Sequence, residues 1–334
     1  MQDFFLDLGQ FAFETVVIVA AILVIVAFIA GLIAKAKEMP EIKAKNLNQR
    51  FKSFQASLQQ KLLDKKELKK WIKTEKSKKQ DFTRPKLFVL HFEGDIKASA
   101  VSKLREEITS ILMVATPTDQ VMVCLESPGG MVHGYGLAAS QLQRIKDKKI
   151  PLTACVDKVA ASGGYMMACI ADSIVAAPFA IIGSIGVVAS LPNLNKFLKK
   201  HDVDYLEITA GEYKRTLTPL GEITDEKMKK FKEQIEDVHE LFKDHVSQHR
   251  ANVDIAKVST GEYWYGSQAK ELNLVDEIGT SDDFLLRHKD SHNLIEVKFE
   301  GKKTLREKIS EGMEGSMERM TTKALTKLWS SRFQ

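Results

Sequence analysis

The residues best suited to chemistry lie in Val159-Ala160-Ala161-Ser162-Gly163-Gly164-Tyr165-Met166-Met167-Ala168, a serine among residues too small to block its approach. Leu152 to Val156 reads as a short buried strand before it, and Gly164 to Ala171 as a helix without charge until Asp172. Ser162 is thus predicted where a strand turns into a helix. That place suits a nucleophile, because the first amides of a helix have no internal partner and can donate to a developing oxyanion. It equally suits a serine that only caps the helix. The local sequence leaves both readings open.

A second turn adds to the first. Gln120 to Leu125 is a buried strand by its apolar run, and Glu126-Ser127-Pro128-Gly129-Gly130 breaks it before the helical pattern of Leu137, Leu142 and Ile145. Paired glycines at the carboxyl end of a strand let a backbone N–H approach a ligand closely, and ligands of open α/β folds gather at such ends. Two turns of this kind in a βαβ-like series predict one crevice, with donors from one turn and a hydroxyl from the other.

Ser127-Pro128-Gly129-Gly130, Val159 to Tyr165, Ile182-Gly183-Ser184-Ile185-Gly186-Val187 and Gly211-Glu212-Tyr213-Lys214-Arg215 resemble, in order and spacing, the signal peptide peptidase A family of serine proteases. The resemblance covers positions 85 to 285 or so. It implies a crotonase-like layered α/β fold distantly related to ClpP, a serine and lysine dyad working without a cofactor, peptide or protein substrates, and a homo-oligomer. Residue by residue, it makes Ser162 the nucleophile, Lys214 the general base and Ser184 the group that orients the lysine. The Gly163 and Gly130 amides would line the oxyanion hole.

The residues themselves do not single out Lys214. A general base must be neutral, and lysine in water has a pKa near about 10.4, so burial would have to lower it. Nothing in Tyr213-Lys214-Arg215 marks such burial. A histidine is the alternative base. The first histidine after Ser162 is His201, at the end of a charged helix over 193–200, which reads as surface; a triad through His133 stays open. His91, alone in the strand Lys86 to Gly94, reads as a core residue.

At 334 residues and 44% hydrophobic composition, the chain can bury a large core. Three cysteines, Cys124, Cys155 and Cys169, lie in apolar runs and read as small packing residues rather than a disulfide framework. No Cys, His and carboxylate cluster shows metal-ligand spacing, and no Gly-rich loop ends in Lys-Ser or Lys-Thr.

Thr15 to Ala34 is uncharged and rich in Val, Ile, Ala and Leu. Such a stretch spans about 30 Å as a helix, enough for a hydrocarbon core. Asp3, Asp7 and Glu14 precede it where a signal peptide would be basic, so an uncleaved anchor in a bacterial inner membrane is expected. The lysines that follow place its C-terminal side in the cytoplasm, whereas the resemblance places the domain outside; the expectation stops at the membrane. Positions 35–85 carry 16 basic against 6 acidic residues, with Phe51, Phe54, Leu58, Leu62, Leu63 and Leu68 at helical spacing. This reads as amphipathic helices beside anionic lipid or as a solvated spacer, and sparse aromatics argue against nucleic acid.

The domains expected are therefore an anchor (1–34), a basic linker (35–85), a crotonase-like protease domain (86–290), and a C-terminal strand and amphipathic helix (291–334). Within the third, Ala100 to Val114 reads as a helix, the apolar run from Ile174 to Pro192 as interior strand and loop, and Asp225 to His249 as a long helix. The function expected is a membrane-anchored serine endopeptidase. A crotonase-type acyl-CoA enzyme, which would need a carboxylate at the Gly-rich turns, and an inactive membrane scaffold are the alternatives.

Overall fold

The computed structural model describes residues 15, 17–23, 25–26, 41–77, 81 and 83–301. It divides into two compact units, Met1–Glu41 with Glu300–Gln334, and Ile42–Phe299. Of the first, residues 15, 17–23 and 25–26 are helical and exposed. Among the described residues no helix is long and apolar enough to cross a membrane, so the expected anchor gains no support, and part of its span falls outside them. The expected C-terminal helix likewise lies outside the described residues.

The second unit opens with β1 (Glu41–Asn46), α1 (Leu47–Leu62) and α2 (Lys65–Ser77), followed by β2 (Lys86–Glu93), α3 (Val101–Leu112), β3 (Gln120–Glu126), α4 (Val132–Asp147) and β4 (Leu152–Val156). Then come β5 (Val159–Ala161), α5 (Gly163–Ala168), β6 (Ser173–Ala176), β7 (Ile181–Gly183), α6 (Asn195–Lys200) and α7 (Asp225–His249). α8 (Ile255–Val258), β8 (Tyr263–Tyr265), α9 (Gly266–Glu271), β9 (Glu277–Ile278), α10 (Ser281–His288) and β10 (Asn293–Glu300) complete it.

Seven strands form one sheet in the order β1-β10-β2-β3-β4-β6-β9, parallel from β10 to β9. Its central strands are buried on both faces, which is why they read as continuous apolar runs. One face carries Phe88, Leu90, Val121, Val123, Leu152 and Ala154 against α3 and α4, and the other carries Leu87, Val89, Met122 and Cys155 against Leu47, Phe284 and Leu285. Each large side chain so buried contributes about 1.5–3 kcal/mol by leaving water. The mixed α/β fold with a parallel sheet is thus as expected.

The sequence reading departs from the structure in how the strands group into sheets. β1 joins the main sheet at its edge, so part of the stretch read as a linker belongs to the folded unit. A second sheet, β5-β7-β8, was not foreseen: β5 and β7 run parallel, and β8 is antiparallel to β7. Strands of three residues are too short to show a period.

α7 begins as its sequence dictates. Thr224 Oγ1 accepts from the Lys227 amide at 3.3 Å, with Asp225 and Glu226 in the first turn. Its buried side is Phe242 and Val246, while Leu241 is exposed.

Candidate active site

β5 lies between the end of β3 and β7. Ser127 bridges Ala160, its amide donating to Val159 O at 2.8 Å and its carbonyl accepting from Ala161 N at 3.0 Å. On the other side Ala161 is in register with Gly183, and the Ser162 amide donates to Gly183 O at 2.7 Å. The two Gly-rich turns of the sequence therefore lie side by side.

Ser162 sits at the N-cap of α5 with φ 52° and ψ −120°, a conformation that glycine adopts far more easily than serine. Its side chain makes no capping hydrogen bond. Capping, the plain explanation of a serine here, is absent; what remains is a half-buried hydroxyl held in a strained backbone.

Gly129 (φ 91°) packs directly on it. A Cβ at Gly129 would stand 2.7 Å from Ser162 Cβ and 2.8 Å from the Gly163 nitrogen, and one at Gly130 would stand 2.2 Å from Ile96 O. The Gly130 and Gly163 amides donate to no protein acceptor among the described residues. The glycines are dictated by close backbone approach, Gly129 to the Ser162 turn and Gly130 to Ile96.

Sequence reasoning missed the group that holds the glycine turn. The buried Tyr135 hydroxyl donates to Asp95 O at 2.8 Å and accepts from Ser127 Oγ at 2.5 Å, and Ser127 Oγ in turn accepts from the Gly129 amide at 3.1 Å. Burial pushes the phenol up, so it stays a donor. The ring also fills the space where Gly163 would carry a side chain, 2.4 Å from a Cβ built there. A tyrosine near a helix start carries no signal of such a role. Tyr135→Phe strands a buried Ser127 hydroxyl and is expected to cost about 1–3 kcal/mol, read from the urea midpoint.

Ser184 follows Gly183, the last residue of β7, as Ser162 follows Ala161, its register partner on β5. It too has φ 52°; its amide donates to Glu262 O at 2.7 Å and its hydroxyl to Gly261 O at 3.3 Å. Trp264 packs on the other side of Gly183, where a Cβ would meet its ring at 2.8 Å.

Lys214 is not brought to these serines. Its side chain is exposed, and among the described residues it makes no hydrogen bond to Ser162 or Ser184; only its amide is engaged, with Gly211 O at 3.2 Å. It lies in an excursion between β7 and α7 that Asn193 and Asn195 hold by donating to Thr218 O, Gly221 O and Leu220 O. This excursion exposes Val188, Leu206 and Ile208 almost fully, so the apolar run read as interior turns outward after Ile185.

The histidines offer no replacement base. His133 and His201 are exposed, and neither bonds to Ser162 among the described residues. His91 is exposed rather than core, and pairs with Glu296 at 3.2 Å.

The chain resembles known proteins over most of its length. The family model "Peptidase family S49 N-terminal" matches residues 3–142, and "Peptidase family S49" matches residues 144–295. The chain is 46% identical over 334 residues to "Probable protease SohB" of Haemophilus influenzae, covering 95% of each. It is 50% identical over 246 residues to "Probable protease SohB" of Buchnera aphidicola subsp. Acyrthosiphon pisum, covering 74% of this chain and 72% of that relative. Among solved structures, a membrane-bound stomatin-specific protease covers 62% of this chain and 85% of its own at 15% identity, with a TM-score of 0.39. With both family models and these relatives agreeing over most of the sequence, the chain belongs to peptidase family S49 and is a serine peptidase.

Proposed function

We propose that the protein is a serine endopeptidase that cleaves peptides or unfolded protein segments through an acyl-enzyme on Ser162. Its Oγ attacks the scissile carbonyl carbon while the Lys214 amine takes the hydroxyl proton. The Gly163 and Gly130 amides hold the resulting oxyanion. The C–N bond then breaks as the Lys214 ammonium returns the proton to the leaving amine, and water releases the acyl group by the same route. Ser184 orients the lysine. The observation that carries this reading is the uncapped, strained Ser162 hydroxyl at a helix N-terminus, with two glycine turns pressed against it.

The lysine sets a condition. An amine in water is protonated, with a pKa near about 10.4, and cannot act as a base at neutral pH. Lys214 is exposed in the single chain, so the excursion that carries it must be covered in the working enzyme. The bare Leu206 and Ile208 beside it favour cover by a second copy of the chain, and hence a homo-oligomer. The uncharged residues 15–34 with their lysine-rich flank support an anchor in the bacterial inner membrane.

The test is acylation by a fluorophosphonate, with the labelled residue mapped by mass spectrometry. The label is expected on Ser162, and its rate of attachment is expected to fall by about 10²–10⁴-fold in Lys214→Ala. Label on any other residue, or an unchanged rate in Lys214→Ala, refutes the nucleophile or the base respectively.

A further inference from the structure

The fold gathers a second set of reactive side chains at the far end of α5. Cys169 caps that helix and is fully buried, and His245 and His249, one turn apart on α7, face it with their rings 4.7 Å apart. One ligand atom from each of the three lies within 4.8 Å of the other two. The sequence reading found no cluster with metal-ligand spacing, because Cys169 comes from a distant element. The pair His245 and His249, four residues apart on one helix, was the part of the signal that could be read.

Each of the two rings bonds to a backbone carbonyl. His245 Nε2 lies 3.0 Å from Met166 O, and His249 Nδ1 lies 2.8 Å from His245 O. A carbonyl can only accept, so each ring gives it an N–H. In a neutral ring the other nitrogen then keeps its lone pair, as in histidines whose outer contacts fix them for a metal.

At His249 that second nitrogen, Nε2, meets Gln143 Oε1 at 3.1 Å. Gln143 cannot turn its donor there without loss, since its Nε2 already donates to Asp147 Oδ1 at 2.9 Å. Turning the amide over would only move the conflict to the Asp147 carboxylate. With the His249 ring neutral these two atoms are both acceptors, and a second ring proton or a cation would satisfy them.

We propose that Cys169, His245 and His249 bind one divalent transition-metal cation of the zinc class. One thiolate and two imidazoles favour such a cation over magnesium or calcium, and Gln143 Oε1 or a water can complete a tetrahedron. Burial pushes the Cys169 thiol up to about 12, so the sulfur holds its proton until a cation takes its place and the proton leaves to solvent. The Cys169 thiol and the His245 ring both reach Met166 O, on the helix that begins beside Ser162. A bound cation would therefore clamp α7 to that helix.

The test uses the metal-free full chain, without a histidine tag and under a phosphine reductant, titrated with Co(II). Tetrahedral ligand-field bands and a thiolate-to-cobalt charge-transfer band are expected to saturate at one equivalent and to vanish on adding Zn(II). Cys169→Ser is expected to lose the charge-transfer band, and His249→Gln to bind at least tenfold more weakly, with both checked for native circular dichroism. His201→Gln, on the surface, should bind as the wild type does. No charge-transfer band in the wild-type protein, which needs no variant to fold, overturns the site, as does a band that persists in Cys169→Ser.

Discussion

Ser162→Ala is expected to lower kcat/KM for peptide hydrolysis by about 10⁴–10⁶-fold while leaving the fold intact. Alanine keeps the β-carbon that the φ 52° backbone already tolerates, and the lost hydroxyl makes no capping bond whose removal would weaken α5. Adding Lys214→Ala to it should cost little more, since a base without its nucleophile has no proton to take. Ser162→Gly separates chemistry from stability. It should be equally inactive yet more stable than the wild type by about 1 kcal/mol, because glycine relieves the strained backbone. Matched activity assays and urea unfolding decide the matter: a Ser162→Gly protein less stable than the wild type would mean that the strain is not real, and residual hydrolysis near the wild-type level in Ser162→Ala would remove the nucleophile.

Gly129→Ala is expected to damage the site through a single methyl. The added carbon would stand 2.7 Å from Ser162 Cβ and 2.8 Å from both Ala161 O and the Gly163 nitrogen, at a residue whose φ of 91° already disfavours a side chain. None of these neighbours is the far end of a flexible chain, so the two turns must part. A displacement near 1 Å at a reacting centre costs about 10²-fold in rate, and backbone strain adds about 1–3 kcal/mol of instability. Gly136→Ala is the control. Nothing lies within 4 Å of its added carbon, it sits inside α4, and it should hold activity while gaining about 0.5–1 kcal/mol. Steady-state kcat/KM and urea midpoints for the pair separate a local clash from a general intolerance of glycine replacement.

The contrast between these residues and Lys214 shows what the amino-acid order could convey. Ser162 and the Gly129-Gly130 turn stood out because small residues interrupt apolar runs, and backbone approach leaves that imprint directly on residue type. The alternation of β2, α3, β3, α4 and β4 was legible for the same reason, since strands buried on both faces must be apolar throughout. Lys214 left no imprint: an exposed lysine beside an arginine is ordinary, and whatever would make it a base comes from surroundings that the local sequence does not encode. Tyr135 and Cys169 were hidden differently. Tyr135 ties Ser127 to Asp95, forty residues before it, and Cys169 meets histidines on α7; tertiary packing brings these groups near.

The small sheet carries one more consequence. Ser184 leans on Glu262 and Gly261, and Gly183 on Trp264, so the loop that follows β7 is completed by a segment made long after it. A chain still on the ribosome and ending before that segment has the Ser184 hydroxyl but not its setting. Ending the chain before Gly261 is therefore expected to leave the Ser184 amide and hydroxyl without the two carbonyls they donate to.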